Sequence, residues 1–162
     1  MRNLLLIIFV LFFAAGCSVQ NPITKSAAYA KIYTEKPTVV LIMPPINKST
    51  NVDAKEYFYS TLSCPIANAG YYVIPPFLSM EILKKESGYD AEMFLSSPLT
   101  KFGNVFGADL AVFTIIHTWD KSGIAGRVDV EIEYIIKSIR TNETVYSRKG
   151  YVVYNTSVNV GG

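Results

Sequence analysis

Few side chains in this sequence are of a type that could do chemistry, and their spacing decides what that chemistry is. The 162 residues contain one histidine and two cysteines. His117 ends an apolar run beside Trp119. No serine or cysteine accompanies it in a recognisable pattern, so the nucleophile-and-base pair of a hydrolase is missing. Asp129, Glu131 and Glu133 alternate with apolar residues and therefore share one face of a strand. Three carboxylates can hold a hard cation. The plainer reading is the solvated face of a half-buried strand. No Gly-x-Ser-x-Gly elbow, phosphate-cradling glycine loop or paired Cys/His spacing occurs. These features point to no catalytic residue, metal site or cofactor. Cys17 is different. Arg2 gives a positive tip, Leu4 to Phe13 is an unbroken apolar run, and Ala14, Ala15 and Gly16 are small. That is the order of a secretory signal with its cleavage site. The run is about ten residues, whereas a spanning helix needs roughly 20, so it is too short for an ordinary permanent anchor.

The segment Ala14-Ala15-Gly16-Cys17 resembles the lipobox of bacterial lipoproteins. The resemblance implies cleavage between Gly16 and Cys17, a diacylglyceryl group on the Cys17 thiol, and acylation of the new amino terminus. Ala14 stands where the pattern usually has Leu. Two or three acyl chains hold a protein firmly, because stable anchoring takes two membrane signals. Ser18 follows, where Asp would favour retention in the inner membrane of enteric-type bacteria. The resemblance therefore implies the outer membrane, periplasmic face. The alternative is an ordinary signal peptide followed by an unrelated cysteine.

Removal of residues 1–16 leaves 146 residues, one ordinary domain with enough chain for a core. The net charge of +2 falls to about +1 when Arg2 leaves, and no basic run exists to track nucleic-acid phosphates. With Cys17 acylated, Cys64 has no disulfide partner. Its apolar surroundings suggest a small core residue.

The elements that must position these residues read as follows. Residues 17–37 form a tether and an ill-defined lead-in. Thr38 to Met43 is β-branched and apolar, a central strand buried on both faces and stopped by Pro44-Pro45. Asn47 to Asn51 is a polar loop. A helix follows, capped by Thr50 or Asn51, with a stripe of Phe58, Leu62, Ile66 and Ala69, and with its last turn bent or shortened by Pro65. Tyr71 to Ile74 is a second strand. Phe77 to Glu86 is a helix with Leu78, Ile82 and Leu83 on one side. Asp90 caps a stretch from Ala91 to Leu95. Leu99 to Phe106 is a short helix stopped by Gly107. Asp109 to Trp119 is a third strand, followed by a turn at 120–123. Arg127 to Lys137 alternates most clearly, and Thr144 to Tyr154 completes a meander through a turn at Thr141-Asn142. The fold expected is α/β: a mixed sheet of about five strands in the order β-α-β-α-α-β-β-β, with helices packed on it. The single domain spans 38–154, and 155–162 is a tail or the cut end of a longer chain.

Tyr57, Phe58 and Tyr59 point in three directions on a helix and cannot all enter one core. Tyr57, Tyr59 and the nearby Asn47 are therefore candidates for a partner-facing surface, since tyrosine is favoured at interfaces. Peripheral packing under the loops is the plainer reading. The segments 38–50, 52–69 and 70–76, with Gly107-Ala108-Asp109 before a strand, resemble an uncharacterised family of Gram-negative lipoproteins catalogued as genome-derived antigen candidates. More distantly the order is similar to the amino-terminal domain of TolB and to the lipoprotein of curli secretion. The resemblance implies a non-enzymatic module that binds envelope proteins, other lipoproteins among them, in assembly or export. It implies no cofactor and no nucleic acid. Members usually continue with a further carboxy-terminal segment, and the extra strands of a curli-type pore are missing here. A small-ligand or glycan binder using the Pro44–Asn51 loop is the alternative.

Overall fold

The computed structural model describes residues 23–85, 90–122 and 126–155. The chain divides into a unit of residues 1–30 and a larger unit of 31–162 that carries the core. The sheet has six strands: β1 (Val39–Ile42), β2 (Ile46–Asn47), β3 (Tyr72–Val73), β4 (Leu110–Ser122), β5 (Arg127–Ser138) and β6 (Thr144–Asn155). Their order is β3-β1-β4-β5-β6, with β2 also paired to β4. β1 lies parallel to both neighbours, with Val40 opposite Val73 and Leu110. The last three strands form the expected antiparallel meander. The fold is thus the mixed α/β sheet expected, with one strand more. Ile46–Asn47, read as the start of a loop, runs parallel to Ile115–Ile116. The strand β4 also continues through 120–122, where a turn was expected. Its long pairing with β5 carries the backbone past Trp119. Gly123 lies outside the described residues.

Side chains alternate across this sheet, so two cores form. Leu41, Met43, Ala111 and Phe113 are covered on one face by Leu83, Leu99 and Phe102. Val40, Ile42, Leu110 and Val112 are covered on the other by Tyr59 and Leu62. Helices α1 (Lys25–Ala28) and α2 (Ala30–Glu35) occupy the stretch expected to be an irregular lead-in. Thr24 caps α1, its hydroxyl accepting from the Ala27 N–H. In the larger unit, Glu35 accepts a hydrogen bond of 2.7 Å from the Ser138 hydroxyl and pairs with Arg140, and Lys31 pairs with Glu143.

The single helix expected after Asn51 is two: α3 (Ala54–Tyr59) and α4 (Ser63–Asn68). The break lies upstream of Pro65, not at the last turn. Proline cannot donate to the carbonyl four residues back, and its ring clashes with it. That carbonyl belongs to Thr61, so the chain breaks at 60–62 and Pro65 falls in the first turn of α4, where no donor is needed. Leu62 and Ile66 then face the sheet, while Ala69 is exposed and Cys64 points outward. Cys64 is two residues from either, about 200° round the helix, so it is a surface residue and not the core residue expected. No side-chain oxygen caps α3. The Asn51 carboxamide instead accepts from the Asp53 N–H.

Helix α5 (Pro76–Lys85) buries Ser79 and Leu83 and leaves Leu78 exposed, contrary to the apolar stripe expected. Residues 91–94 form a 3-10 turn that Asp90 does not cap. Helix α6 (Thr100–Phe106) ends as expected at Gly107, which is left-handed with φ 64°. Lys137 is buried and donates to the Leu95 carbonyl at 2.7 Å, just past the 3-10 turn. Burial lowers its ammonium pKa.

Candidate functional site

The carboxyl ends of β1 and β3 lie at one end of the sheet, the usual place for sites in open α/β folds. Asn47 leaves β2 there and folds the following loop upon itself. Its Nδ2 donates to the Asn51 carbonyl at 2.7 Å, and its Oδ1 accepts from the Ser49 N–H at 3.0 Å and hydroxyl at 2.7 Å. Thr50 ties the loop to Asp120 by donating at 2.8 Å. Asn47 therefore organises the loop, with its carboxamide oxygen and one of its two N–H donors spent within it. Pro44 and Pro45 are fully buried, so any ligand surface of this loop lies in its second half, where Lys48 and Thr50 are exposed.

Tyr59 and Tyr57 part company. Tyr59, expected to face a partner, is buried at 7 % exposure. Its hydroxyl lies 3.0 Å from the Ser79 hydroxyl and within 3.3 Å of the Ile42 and Pro76 carbonyls, pinning α3 and α5 to the end of β1. Burial raises its pKa, and the Ser79 hydrogen bond opposes the rise only in part. Tyr57, two residues earlier on the opposite side of α3, is 63 % exposed. Val52 at the loop tip and Phe77 and Leu78 in the first turn of α5 are also exposed, at 83 %, 84 % and 54 %. These four exposed apolar side chains lie on the segments that the Asn47 loop and the Tyr59 hub hold in place. Sequence reasoning missed Val52, Phe77 and Leu78. The signal it could have used is Ser79, a buried polar residue that fixes the rotation of α5 once Tyr59 is known to bond it.

The other candidates lie on the long strands. His117 is the extra residue of a bulge in β4, between the pairs of Ile116 and Thr118. A bulge re-aims a side chain, and His117 Nε2 sits 2.8 Å from Glu133. Glu131 pairs with Lys149 at 3.0 Å, and Asp129 accepts from Arg127 and from the Tyr151 hydroxyl at 2.9 Å. The Arg127 hydrogen bond holds the Asp129 carboxyl below its usual range. Each carboxylate thus has its own basic partner, and among the described residues no cluster of three or more His, Cys, Asp or Glu is arranged for a metal. Gly16 and Cys17 lie outside the described residues, and no described helix is long and apolar enough to cross a membrane.

Comparison with known proteins gives one family and one fold. The family described as "Putative lipoprotein GNA1162-like" matches residues 27–162. The Neisseria meningitidis serogroup B protein "Putative lipoprotein NMB1124/NMB1162" is 25 % identical over 122 residues, 75 % of this chain and 56 % of that protein. The chain thus aligns with little more than half the length of that relative. The crystal structure of lipoprotein GNA1162 from Neisseria meningitidis superposes with a TM-score of 0.68 at 20 % identity, covering 74 % of this chain and 85 % of that one. The LpoB carboxy-terminal domain from Salmonella enterica gives 0.55 at 15 % identity, covering 77 % and 91 %. A PelC dodecamer structure from Paraburkholderia phytofirmans gives 0.51 at 14 %, covering 72 % and 71 %. These likenesses confirm the fold. The family match runs through every strand and helix that builds the larger unit, and the chain belongs to the GNA1162-like lipoprotein family.

Proposed function

We propose that this chain is a non-enzymatic docking module of the bacterial envelope, held by acyl chains on Cys17 at the periplasmic face of the outer membrane. The observation that carries the reading is the exposure of Val52, Tyr57, Phe77 and Leu78 on the loop and the two helices at one end of the sheet. Side chains of this kind, when grouped, serve as anchors in protein interfaces. Membership of a lipoprotein family supports the anchor. So does the small-residue run before Cys17. The expected partner is another envelope protein with an apolar groove.

A photo-crosslinking amino acid at position 57 or 77 of the lipidated protein in cells tests this. The expected result is a reproducible crosslink to one envelope protein from position 57, lost when Phe77→Asp is added and absent when the crosslinker is placed at the far end of the sheet instead. No crosslink from either position, with the protein correctly localised, would overturn the reading.

A further inference from the structure

The sheet face opposite Leu83 and Phe102 is incompletely covered. Helices α2 and α4 are six residues each, and Pro65 in α4 and Ala69 just past its end add little side-chain bulk. Between them and the sheet lies a cavity of about 390 Å³ lined by Ile32, Leu62, Ile66, Val112, Tyr134 and Tyr146, among others. It is an apolar cleft open to solvent on one side, and its volume falls within the range of about 300–1,000 Å³ typical of ligand pockets. No charged side chain lines it; the polar groups in the lining side chains are tyrosine hydroxyls. The ligand portion it holds must therefore be uncharged and apolar.

A second observation concerns the rim. Tyr134 on β5 is directly opposite Arg148 on β6. Directly opposed residues of an antiparallel pair point to the same face, and Tyr146, two residues from Arg148, shares that face. Arg148 is exposed, and among the described residues its guanidinium has no hydrogen bond or ion pair. The other nearby cation, Lys31, is already paired with Glu143. An apolar slot beside an unpaired guanidinium matches an amphiphile with one aliphatic chain and an anionic head. Ile32 places the slot where the chain from the amino terminus enters the larger unit. We propose that this cavity binds a single fatty-acyl chain, with its carboxylate or phosphate head on Arg148.

The source that fits both halves of the site is a free fatty acid or lysolipid; an acyl chain on the protein's own Cys17 would be ester- or amide-linked, brings no anionic head for Arg148, and is the competing occupant. The test uses the mature-length chain, residues 17–162 with Cys17→Ser, and the lipidated protein on phosphatidylcholine vesicles. The larger unit, 31–162, has its own core. The probes are dodecanoate, decanoate and dodecanol, followed by calorimetry against protein-free controls. Dodecanoate should bind the unacylated chain, and decanoate should bind about tenfold more weakly, because each buried methylene contributes roughly a fourfold factor at most. Arg148→Glu should weaken dodecanoate several-fold and leave dodecanol unchanged. Ala69→Trp, which fills the slot from the exposed residue that follows α4, should abolish binding of both while the melting temperature holds. Uptake by both protein forms supports a free amphiphile. Uptake by the unacylated form alone would show that the protein's own lipid fills the slot and would overturn a free amphiphile as the occupant. No binding to the unacylated chain, indifference to chain length, or full binding by Ala69→Trp would overturn the proposal. An unchanged dodecanoate affinity in Arg148→Glu would overturn the head-group assignment.

Discussion

The carboxylate of Asp109 accepts from the Thr38 N–H at 2.8 Å, the Val39 N–H at 2.9 Å and the Thr38 hydroxyl at 3.1 Å. It thereby fixes the start of β1 beside the start of β4. Burial alone would raise its pKa, but the two N–H groups and the hydroxyl prevail and lower it. A carboxyl whose folded pKa is depressed stabilises the fold above its unfolded pKa, and the contribution is lost as pH falls through the folded value. Asp109→Asn should therefore lower stability at pH 7 by about 1 kcal/mol and flatten the loss seen in wild type below about pH 4. Urea titrations across that range check both. Asp109 and Tyr59 were legible only as residue types. Gly107-Ala108-Asp109 marked a strand's beginning, but a bond spanning 71 residues to Thr38 has no local signature. Tyr59 and Cys64 went astray for the same reason. Which side of a six-residue helix faces in is set by its partner, and neither α3 nor α4 is long enough to average the pattern.

At the scale of elements, strands were easier to read than helices. The runs at 38–43 and 109–119 are buried on both faces and need no partner to be recognised. The short helices carry conflicting cues, as α5 shows by burying Ser79 and exposing Phe77. Helix termini with a backbone requirement were the exception. Gly107 sits at φ 64°, and a Cβ there would meet nothing within 4 Å. The cost of Gly107→Ala is therefore conformational, about 1 kcal/mol. Gly103→Ala is the contrast. Its Cβ would come within 2.9 Å of an Ile139 methyl, so the gain in helix propensity of about 1 kcal/mol is opposed by a side chain that must move. Thermal unfolding should place Gly107→Ala below wild type and Gly103→Ala nearer to it. A second element-level feature is β6, a 12-residue edge strand whose Tyr151, Val152, Val153 and Tyr154 are exposed. An edge of this kind, without a further strand among the described residues, is one that natural proteins usually cover or charge.

For the whole molecule, the two ends of the sheet are distinct. The chain enters the larger unit near the β5–β6 turn, through Lys31–Glu143 and Glu35–Ser138. Val52 and Tyr57 stand at the other end, near β2 and the far part of β4. A lipid on Cys17 would thus leave the apolar set directed away from the point of entry. The anchor itself is tested in cells: Cys17→Ser should abolish fatty-acid labelling and leave the signal attached, as read by radiolabelled palmitate and the mobility of the chain. A variant still labelled would show that Cys17 is not the acylated residue.

The position of β1 has a further consequence, in time. It is the second strand of the sheet by place and the first by sequence, and its partner residues in β4 lie about seventy positions later. A chain delivered amino terminus first at about 5–20 residues per second would expose Val39 to Met43 for several seconds before Leu110 to Val112 arrived. During that interval β3 alone could shield one edge. An exported form of this protein would therefore be a client for a periplasmic holding chaperone, and its yield on secretion would respond to the speed of delivery as much as to the stability of the finished fold.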